Sequence, residues 1–382
     1  MTERPTAERA DTRAEARPDA PAEVPADVPA DLPADLPAGA PADPPRRRWL
    51  RRALLALGVL TLVLVLAIGG GAWFLADRYA GNISRITDAF SGVTGRPAES
   101  SPTGAAARAA EGAPITFLLV GSDTRADIAD GQLPDARSDA IMIARFSADR
   151  RHAQIVSIPR DSWVDVPGHG KAKINAAYAY GGPALLVQTV ENLTGVRIDH
   201  FAAISFDGLI DMTDALGGVD VSVAETSSWG GYTFTKGVNH LNGTQARWYV
   251  GQRYGLAGGD FDREKRQQNY LRAVFTKLLD QGTFSSPGKL DTVLRDVTSA
   301  VAVDESLSTA DLLGMAYSLR DVRTSDIAFL TAPVLGTGME GAASVVYLDP
   351  NNDDRMWGYL KTDSLGENAD EFSAQALPDT PR

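Results

Sequence analysis

Cysteine is absent from this 382-residue chain, so it has neither a disulfide framework nor thiolate chemistry. Histidine is scarce. His152, His169, His200 and His240 are scattered outside the polar motifs described below, which leaves no Ser-His-Asp or Cys-His set and makes them structural or surface residues. Positive charge is in deficit: 37 Lys and Arg stand against 49 Asp and Glu, for a formal net charge of −12. A general nucleic-acid surface needs a basic patch, so nucleic acid is excluded as a partner. What is present is enough apolar residue (44%) for one large or two modest domains with a core.

The acidity is partly local. Residues 1–45 form an Ala/Pro/acid tract with Pro-Ala-Asp echoes at 25–27, 33–35 and 41–43. Such a tract cannot bury enough apolar surface to order itself and reads as a disordered cytoplasmic tail. A basic flank and an apolar run follow over residues 46–78. The uncharged run Ala53–Ala76 would span ~36 Å as a helix, enough for a hydrocarbon core of roughly 30 Å. Arg46-Arg47-Arg48 and Arg51-Arg52 precede it and Asp77 follows, which keeps the N-terminus in the cytoplasm. The run is too long for a signal peptide and lacks a small-x-small cleavage site. The expectation is a single-pass cell-membrane protein with an extracytoplasmic domain. Residues 79–112 read as a short juxtamembrane helix and linker, 113–365 as the folded domain, and 366–382 as a disordered C-terminal tail.

Within the domain, Arg247–Leu279 organises the rest. Gly258-Gly259-Asp260 leads into a long run without Gly or Pro, the signature of a helix start. Leu271, Val274, Phe275 and Leu278 mark its buried face. Stepping back by fours along that face reaches Gln267, Arg263, Tyr270 and Arg266, while Lys265, Gln268 and Arg272 fall on the wet side. A buried arginine is costly without an anion, so this face requires a carboxylate or an anionic ligand.

Ile115–Val120 reads as a buried strand ending in Gly121-Ser122-Asp123-Thr124-Arg125. A loop closing with Arg137-Ser138-Asp139 precedes a second strand, Ala140–Phe146. A third, Ala153–Ile158, ends in Pro159-Arg160-Asp161. If the second and third form a hairpin and the first runs parallel to the third, three loops deliver arginines and aspartates to one rim. Gly182-Pro183 opens a helix through Leu193, and strands alternate with helices thereafter. Helices are expected over Lys289–Val301, Ala310–Val322 and near Arg355–Leu360, with strands at Ile327–Leu330 and Ser344–Leu348. The fold class is α/β, a central mixed sheet flanked by helices.

Six motifs occur in series: Gly121-Ser122-Asp123, Arg137-Ser138-Asp139, Ser157-Ile158-Pro159-Arg160-Asp161, Lys173-Ile174-Asn175-Ala176-Ala177-Tyr178, Gly217-Gly218-Val219-Asp220-Val221 and Gly259-Asp260-Phe261-x-Arg263-x-x-Arg266-Gln267. In that order, behind one membrane helix, the chain resembles the LytR-CpsA-Psr family of bacterial cell-envelope proteins. The resemblance implies a phosphotransferase that moves a glycopolymer from a polyprenyl-pyrophosphate carrier to peptidoglycan with magnesium. It also implies a lipid in an apolar pocket and a pyrophosphate met by arginines. Carried over by motif, Asp123 and Asp139 are metal-side carboxylates. Arg125, Arg137, Arg160, Arg253, Arg263 and Arg266 grip the diphosphate, with Gln267 beside them. Asp123, Arg137, Asp260 and Arg263 form the expected catalytic set. Two departures stand out: Gly251 where the family often has arginine, and Asp262 where it often has glycine, the latter a helix-start choice.

Attack of a sugar hydroxyl on a diphosphate asks for charge neutralisation more than covalent help. A carboxylate must take the acceptor proton, and the residues leave Asp260 and Asp161 both open. Two other readings stay open: a polyprenyl-pyrophosphate hydrolase using water at the same site, and a non-enzymatic envelope-anchored regulator.

Overall fold

The computed structural model describes residues 83–98, 112–122, 138–279 and 300–382. The expected tail, the membrane span, the second half of the linker and most of the Lys289–Val301 helix lie outside the described residues. Among those described, no helix is long and apolar enough to cross a membrane.

The elements begin with β1 (Ser84–Ile86), β2 (Ile115–Ser122), β3 (Ser138–Phe146), β4 (Ala153–Ser157), β5 (Trp163–Val166) and β6 (Gly170–Lys173). Next come α1 (Ile174–Thr194), β7 (His200–Ser205), α2 (Phe206–Ala215), β8 (Val219–Val223), β9 (Ser227–Trp229), β10 (Tyr232–Phe234) and β11 (Gly237–Leu241). Helices α3 (Gly243–Gly251) and α4 (Asp260–Leu279) lead to β12 (Val301–Asp304) and α5 (Thr309–Ser318). Strands β13 (Ile327–Thr331), β14 (Val334–Glu340) and β15 (Ala343–Leu348) precede α6 (Pro350–Lys361).

Seven strands form one mixed sheet in the order β1-β12-β7-β2-β3-β4-β13. The apolar runs of β2 and β3 follow from burial on both faces. Phe117, Met142 and Ala144 join the cluster that receives Leu271 and Phe275 of α4. Leu118, Val120, Ile141 and Ile143 point the other way, into the cluster with Leu186 of α1 and Met356 of α6. The sheet therefore lies between helices, as the sequence leads one to expect. Strands β2 and β7 pair parallel, while β3 runs antiparallel to both β2 and β4. The carboxyl ends of β2, β4 and β7 and the amino end of β3 therefore share one rim. In α1, non-helical dihedrals at Gly181 and Gly182 divide the helix just before Pro183, so the second helical piece opens where the sequence places it.

Four expectations need correction. The stretch read as linker contains β1, which pairs parallel with β12 and buries Ile83, Ile86 and Ala89. Its continuation is held by Arg96, whose guanidinium donates to Glu191. Val301, expected to end a helix, starts β12, because β7 offers it an antiparallel partner. Strand β14, absent from the sequence reading, pairs with β15.

Residues 366–382, expected to be a disordered tail, pack against the domain. A 3-10 segment covers Ala369–Gln375. Leu377 N–H donates to the Phe329 carbonyl, and Ala224 N–H donates to that of Pro381. Phe372 is 2% exposed and meets Tyr359 edge to face. The ordering comes from this one aromatic and main-chain pairing, which a tally of polar residues does not register. Truncating it (Phe372→Ala) should cost about 3 kcal/mol of unfolding free energy in denaturant melts. An unchanged midpoint would mean that the segment is loosely held.

Candidate active site

Helix α4 starts on a constrained lead-in. Gly259 has φ +56, and a Cβ on Gly258 would lie 2.6 Å from Asp262 Oδ1. Gly258 N–H donates to Asp262 Oδ2 at 2.7 Å, so Asp262 clamps the lead-in to the first turn. Asp260 and Asp262 place negative charge at the positive end of the helix.

The next turn points arginine into the rim. Arg263, 3% exposed, lies 3.0 Å from Asp260 and 3.5 Å from Asp139 Oδ1 on β3. Arg160, just beyond β4, donates to the same Asp139 Oδ1 and lies 3.4 Å from Asp260. Two guanidinium groups from distant segments thus share two carboxylates. Asp161 sits at the edge of the cluster, 3.9 Å from Arg160 and 3.0 Å from Lys173. Burial pulls the Arg160 guanidinium down, but Asp260, Asp139 and Asp161 outweigh it and hold its pKa above the ordinary value. At Arg263 burial prevails and the pKa falls; Asp260 and Asp139 oppose the fall, and Arg160 and Arg253 add to it. The buried Nε of Arg263 has no hydrogen-bond acceptor, and that of Arg160 lies 3.4 Å from Asp260 Oδ2 without forming a hydrogen bond. Unmet charged donors of this kind are costly unless an anion reaches them.

Beside the cluster lies a cavity of about 270 Å³ between the sheet and α4, lined by apolar residues such as Leu119, Ala202, Leu209, Leu271 and Phe275. Its polar rim is Ser122, Asp139, Ser205 and Gln267. Gln267 Nε2 donates to the Asp139 carbonyl at 3.4 Å. A second hollow, of about 290 Å³, shares Asp139, Phe206, Val250 and Gln267 with the first and adds Arg247, Arg253 and Arg263. Arg253 is exposed. An apolar cavity and an arginine-lined hollow therefore adjoin.

Of the expected residues, Asp139, Arg160, Arg253, Asp260, Arg263 and Gln267 gather at this rim. Asp123, Arg125 and Arg137 lie outside the described residues. Arg266 does not join the site. It is fully buried, donates to Gln252 Oε1 and Ser227 Oγ at 2.7 Å and to the Arg382 carbonyl at 3.1 Å, and stacks on Tyr249. Two neutral side-chain acceptors, a main-chain oxygen and a ring satisfy it, so it braces α4 against α3, β9 and the C-terminal segment. Gln268, expected on the wet side, is also fully buried and donates to Ser157 Oγ and the Leu330 carbonyl. That side of the helix meets the β4–β13 edge. Arg272 donates to the carbonyls of Pro378 and Asp379, because the C-terminal segment covers its face.

For magnesium, the described donors supply one expected carboxylate, Asp139. Among the described residues no group of three acidic or histidine side chains could hold a metal. A hard oxygen donor suits magnesium, which commonly takes one or two carboxylates and completes its shell with water and substrate phosphate. Asp139 fits that pattern.

Glu264 is a site residue that the sequence reading passed over. It lines the narrow gap shared with Asp139, Arg160, Asp260 and Arg263. Its Oε1 is buried without a partner. Burial, joined by the charge of Asp260, pushes its carboxyl up to about 8 against a hydrogen bond from Thr331. The spacing Glu264, Gln268, Leu271, Phe275 was the available signal: a second inward stripe beside the one carrying Arg263.

The sequence pattern of the LytR_cpsA_psr family matches residues 87–362. The chain is 32% identical over 322 residues to the cell wall biosynthesis protein LcpA of Corynebacterium glutamicum, covering 71% of this chain and 60% of that one. It is 36% identical over 184 residues to the polyisoprenyl-teichoic acid–peptidoglycan teichoic acid transferase TagU of Enterococcus faecalis, covering 48% and 60% respectively. The match thus spans about 60% of the length of these two relatives. Among solved structures, B. subtilis TagV is similar at TM-score 0.56 and 27% identity, covering 65% of this chain and 97% of that one.

The protonated Glu264 carries a pH signature. It holds its proton in the folded state up to about 8, whereas the unfolded chain releases it near the ordinary carboxyl value of 4.5. The folded state therefore binds the extra proton across that window, and stability falls as pH rises through it. The substitution Glu264→Gln should flatten the fall in melting temperature between pH 5 and 8. A variant that declines as steeply as the wild type would place the titration elsewhere.

Proposed function

The chain belongs to the LytR_cpsA_psr family, and from that premise we propose that it is a membrane-anchored phosphotransferase moving a glycopolymer from a polyprenyl diphosphate onto peptidoglycan. The observation that carries the reading is the junction at Asp139 and Gln267 of an apolar cavity with a rim where Arg160 and Arg263 leave buried donors unmet. A lipid diphosphate has those two chemistries in that order. The cavity takes isoprene units and the guanidinium forks take the phosphates, for which planar bidentate donors are suited. The name of the E. faecalis relative, a polyisoprenyl-teichoic acid–peptidoglycan transferase, supports the same pairing of carrier and acceptor.

In the step itself, an acceptor hydroxyl oxygen attacks the phosphorus that bears the sugar. The P–O bond to the polyprenyl phosphate breaks, and polyprenyl phosphate leaves. Arg160 and Arg263 hold the charge that builds on the phosphoryl oxygens. Asp260 takes the acceptor proton. Its side chain is 39% exposed at the rim, where an incoming hydroxyl can reach it, against 22% for Asp161. Magnesium, held by Asp139 together with Asp123, would supply further neutralisation of the diphosphate. The membrane span at residues 53–76 would place the site outside the cytoplasm, next to the bilayer that carries the lipid substrate.

The test is transfer by the full chain in vesicles, given a polyprenyl-diphosphate glycan, peptidoglycan and magnesium. A peptidoglycan-linked product and polyprenyl phosphate should appear together, and Arg263→Ala should lower the rate about a hundredfold. Release of polyprenyl phosphate at an equal rate without any acceptor would instead identify a hydrolase.

A further inference from the structure

The β14–β15 hairpin has no part in the transfer step, yet it leaves the sheet at the active rim. Strand β13 runs parallel to β4, with Thr331 opposite Ser157, so its carboxyl end reaches the rim on the side of Arg160. Ala332 N–H donates to the Ser157 carbonyl, and β14 begins two residues later. The return strand is tied to the same rim, since Val346 N–H donates to the Asp161 carbonyl at 2.9 Å. Tyr347 lies across Gly338, where a Cβ would come within 2.5 Å of its ring, and its hydroxyl donates to Glu340 Oε1. Glu340 is the single charged residue from Val334 to Leu348. On this braced hairpin Leu335 is 69% exposed, Met339 62% and Val334 36%. Edge strands of soluble proteins are commonly guarded by charge, and apolar side chains clustered on one mark a contact surface.

The opposite edge of the sheet points to what that surface meets. Strand β1 is parallel to β12, and β12 is antiparallel to β7, so the chain enters β1 from the active rim. Eight residue steps separate Ala76, the end of the run read above as the membrane span, from Ser84. Fully extended, at roughly 3.6 Å each, they reach about 29 Å. That reach bounds the distance from the bilayer to the β1 corner of the rim. The strand order β1-β12-β7-β2-β3-β4-β13 puts the hairpin at the other corner of the same rim, six gaps of about 4.8 Å away. A tether at one corner leaves the domain free to tilt, and an apolar contact at the other fixes it. We propose that Leu335 and Met339 of the β14–β15 hairpin enter the lipid interface and hold the active rim against the bilayer. The proposal rests on the membrane span given above. Side chains of this kind strengthen interfacial binding in proportion to the apolar area they bury there. With the rim held to the membrane, an isoprenoid passes from the bilayer into the cavity without crossing open water.

The absence of cysteine makes the test direct, because one introduced thiol takes one label. Full chains carrying Leu335→Cys, Met339→Cys or Arg151→Cys, each with the same fluorophore, are reconstituted into phosphatidylglycerol–phosphatidylcholine vesicles. A fraction of the lipid bears a spin label near its headgroup, which quenches fluorophores that touch it. Arg151 is exposed in the turn between β3 and β4, at the end of the sheet away from the rim. The labels at positions 335 and 339 should lose several-fold more emission than the label at 151, and detergent should abolish the difference. Equal quenching at all three positions would overturn the proposal, as would no quenching in chain that floats with the vesicles. Shielding at 335 and 339 that persists in detergent and grows with protein concentration would assign the hairpin to a second copy and overturn it too. Chain that fails to float with the vesicles would overturn the membrane span, and this proposal with it.

Discussion

Arg160 and Arg263 clasp Asp139 and Asp260 from two sides, and the active rim depends on that contact. Burying one guanidinium is costly, and burying two near each other is worse, because each raises the cost of the other. Asp139 and Asp260 make the pair tolerable in the free protein. Yet the described cluster sets Arg160, Arg263, Lys173 and Arg253 against Asp139, Asp161 and Asp260, and neither arginine Nε forms a hydrogen bond. A site balanced this way is prepared for an anion that brings several acceptors at once. A diphosphate does so, and a lone carboxylate does not.

The sheet sets this geometry. Because β2 and β7 run parallel and β3 returns antiparallel between β2 and β4, the segments carrying Asp139 and Arg160 end on one rim. Helix α4 crosses that rim with Arg263 and Gln267, and its later turns, with Leu271 and Phe275, close the apolar cavity. One helix thus contributes to the apolar cavity and to the arginine rim, and the 3.6-residue repeat keeps the two in register. The resting order of the cluster and the readiness of the site come from the same side chains.

Much of this was legible in the chain. Continuous apolar runs gave β2, β3 and β4, and the hairpin logic gave their shared rim. Gly258-Gly259-Asp260 marked the start of α4, and the step of four from Leu271 pointed Arg263 inward. What stayed hidden was settled by partners far away in sequence. Arg263 and Arg266 are separated by less than one turn, so periodicity treats them alike. Ser227, Gln252 and the Arg382 carbonyl receive Arg266 and draw it away from the rim. Gln268 and Glu264 violate the assumption that a surface helix has one wet face, since the β4–β13 edge covers theirs. β1 is three residues long, too short for any alternation to show. The packing of residues 366–382 depends on Phe372 and on main-chain bonds that composition does not encode.

The central claim is that Arg160 and Arg263 receive a diphosphate whose hydrocarbon enters the neighbouring cavity. A crystal structure of the chain with farnesyl diphosphate tests it most directly. The account predicts phosphate oxygens within hydrogen-bond distance of both guanidinium groups and isoprene carbons against Leu271 and Phe275. A diphosphate bound elsewhere, with both arginines still closed on Asp139 and Asp260 alone, would contradict it.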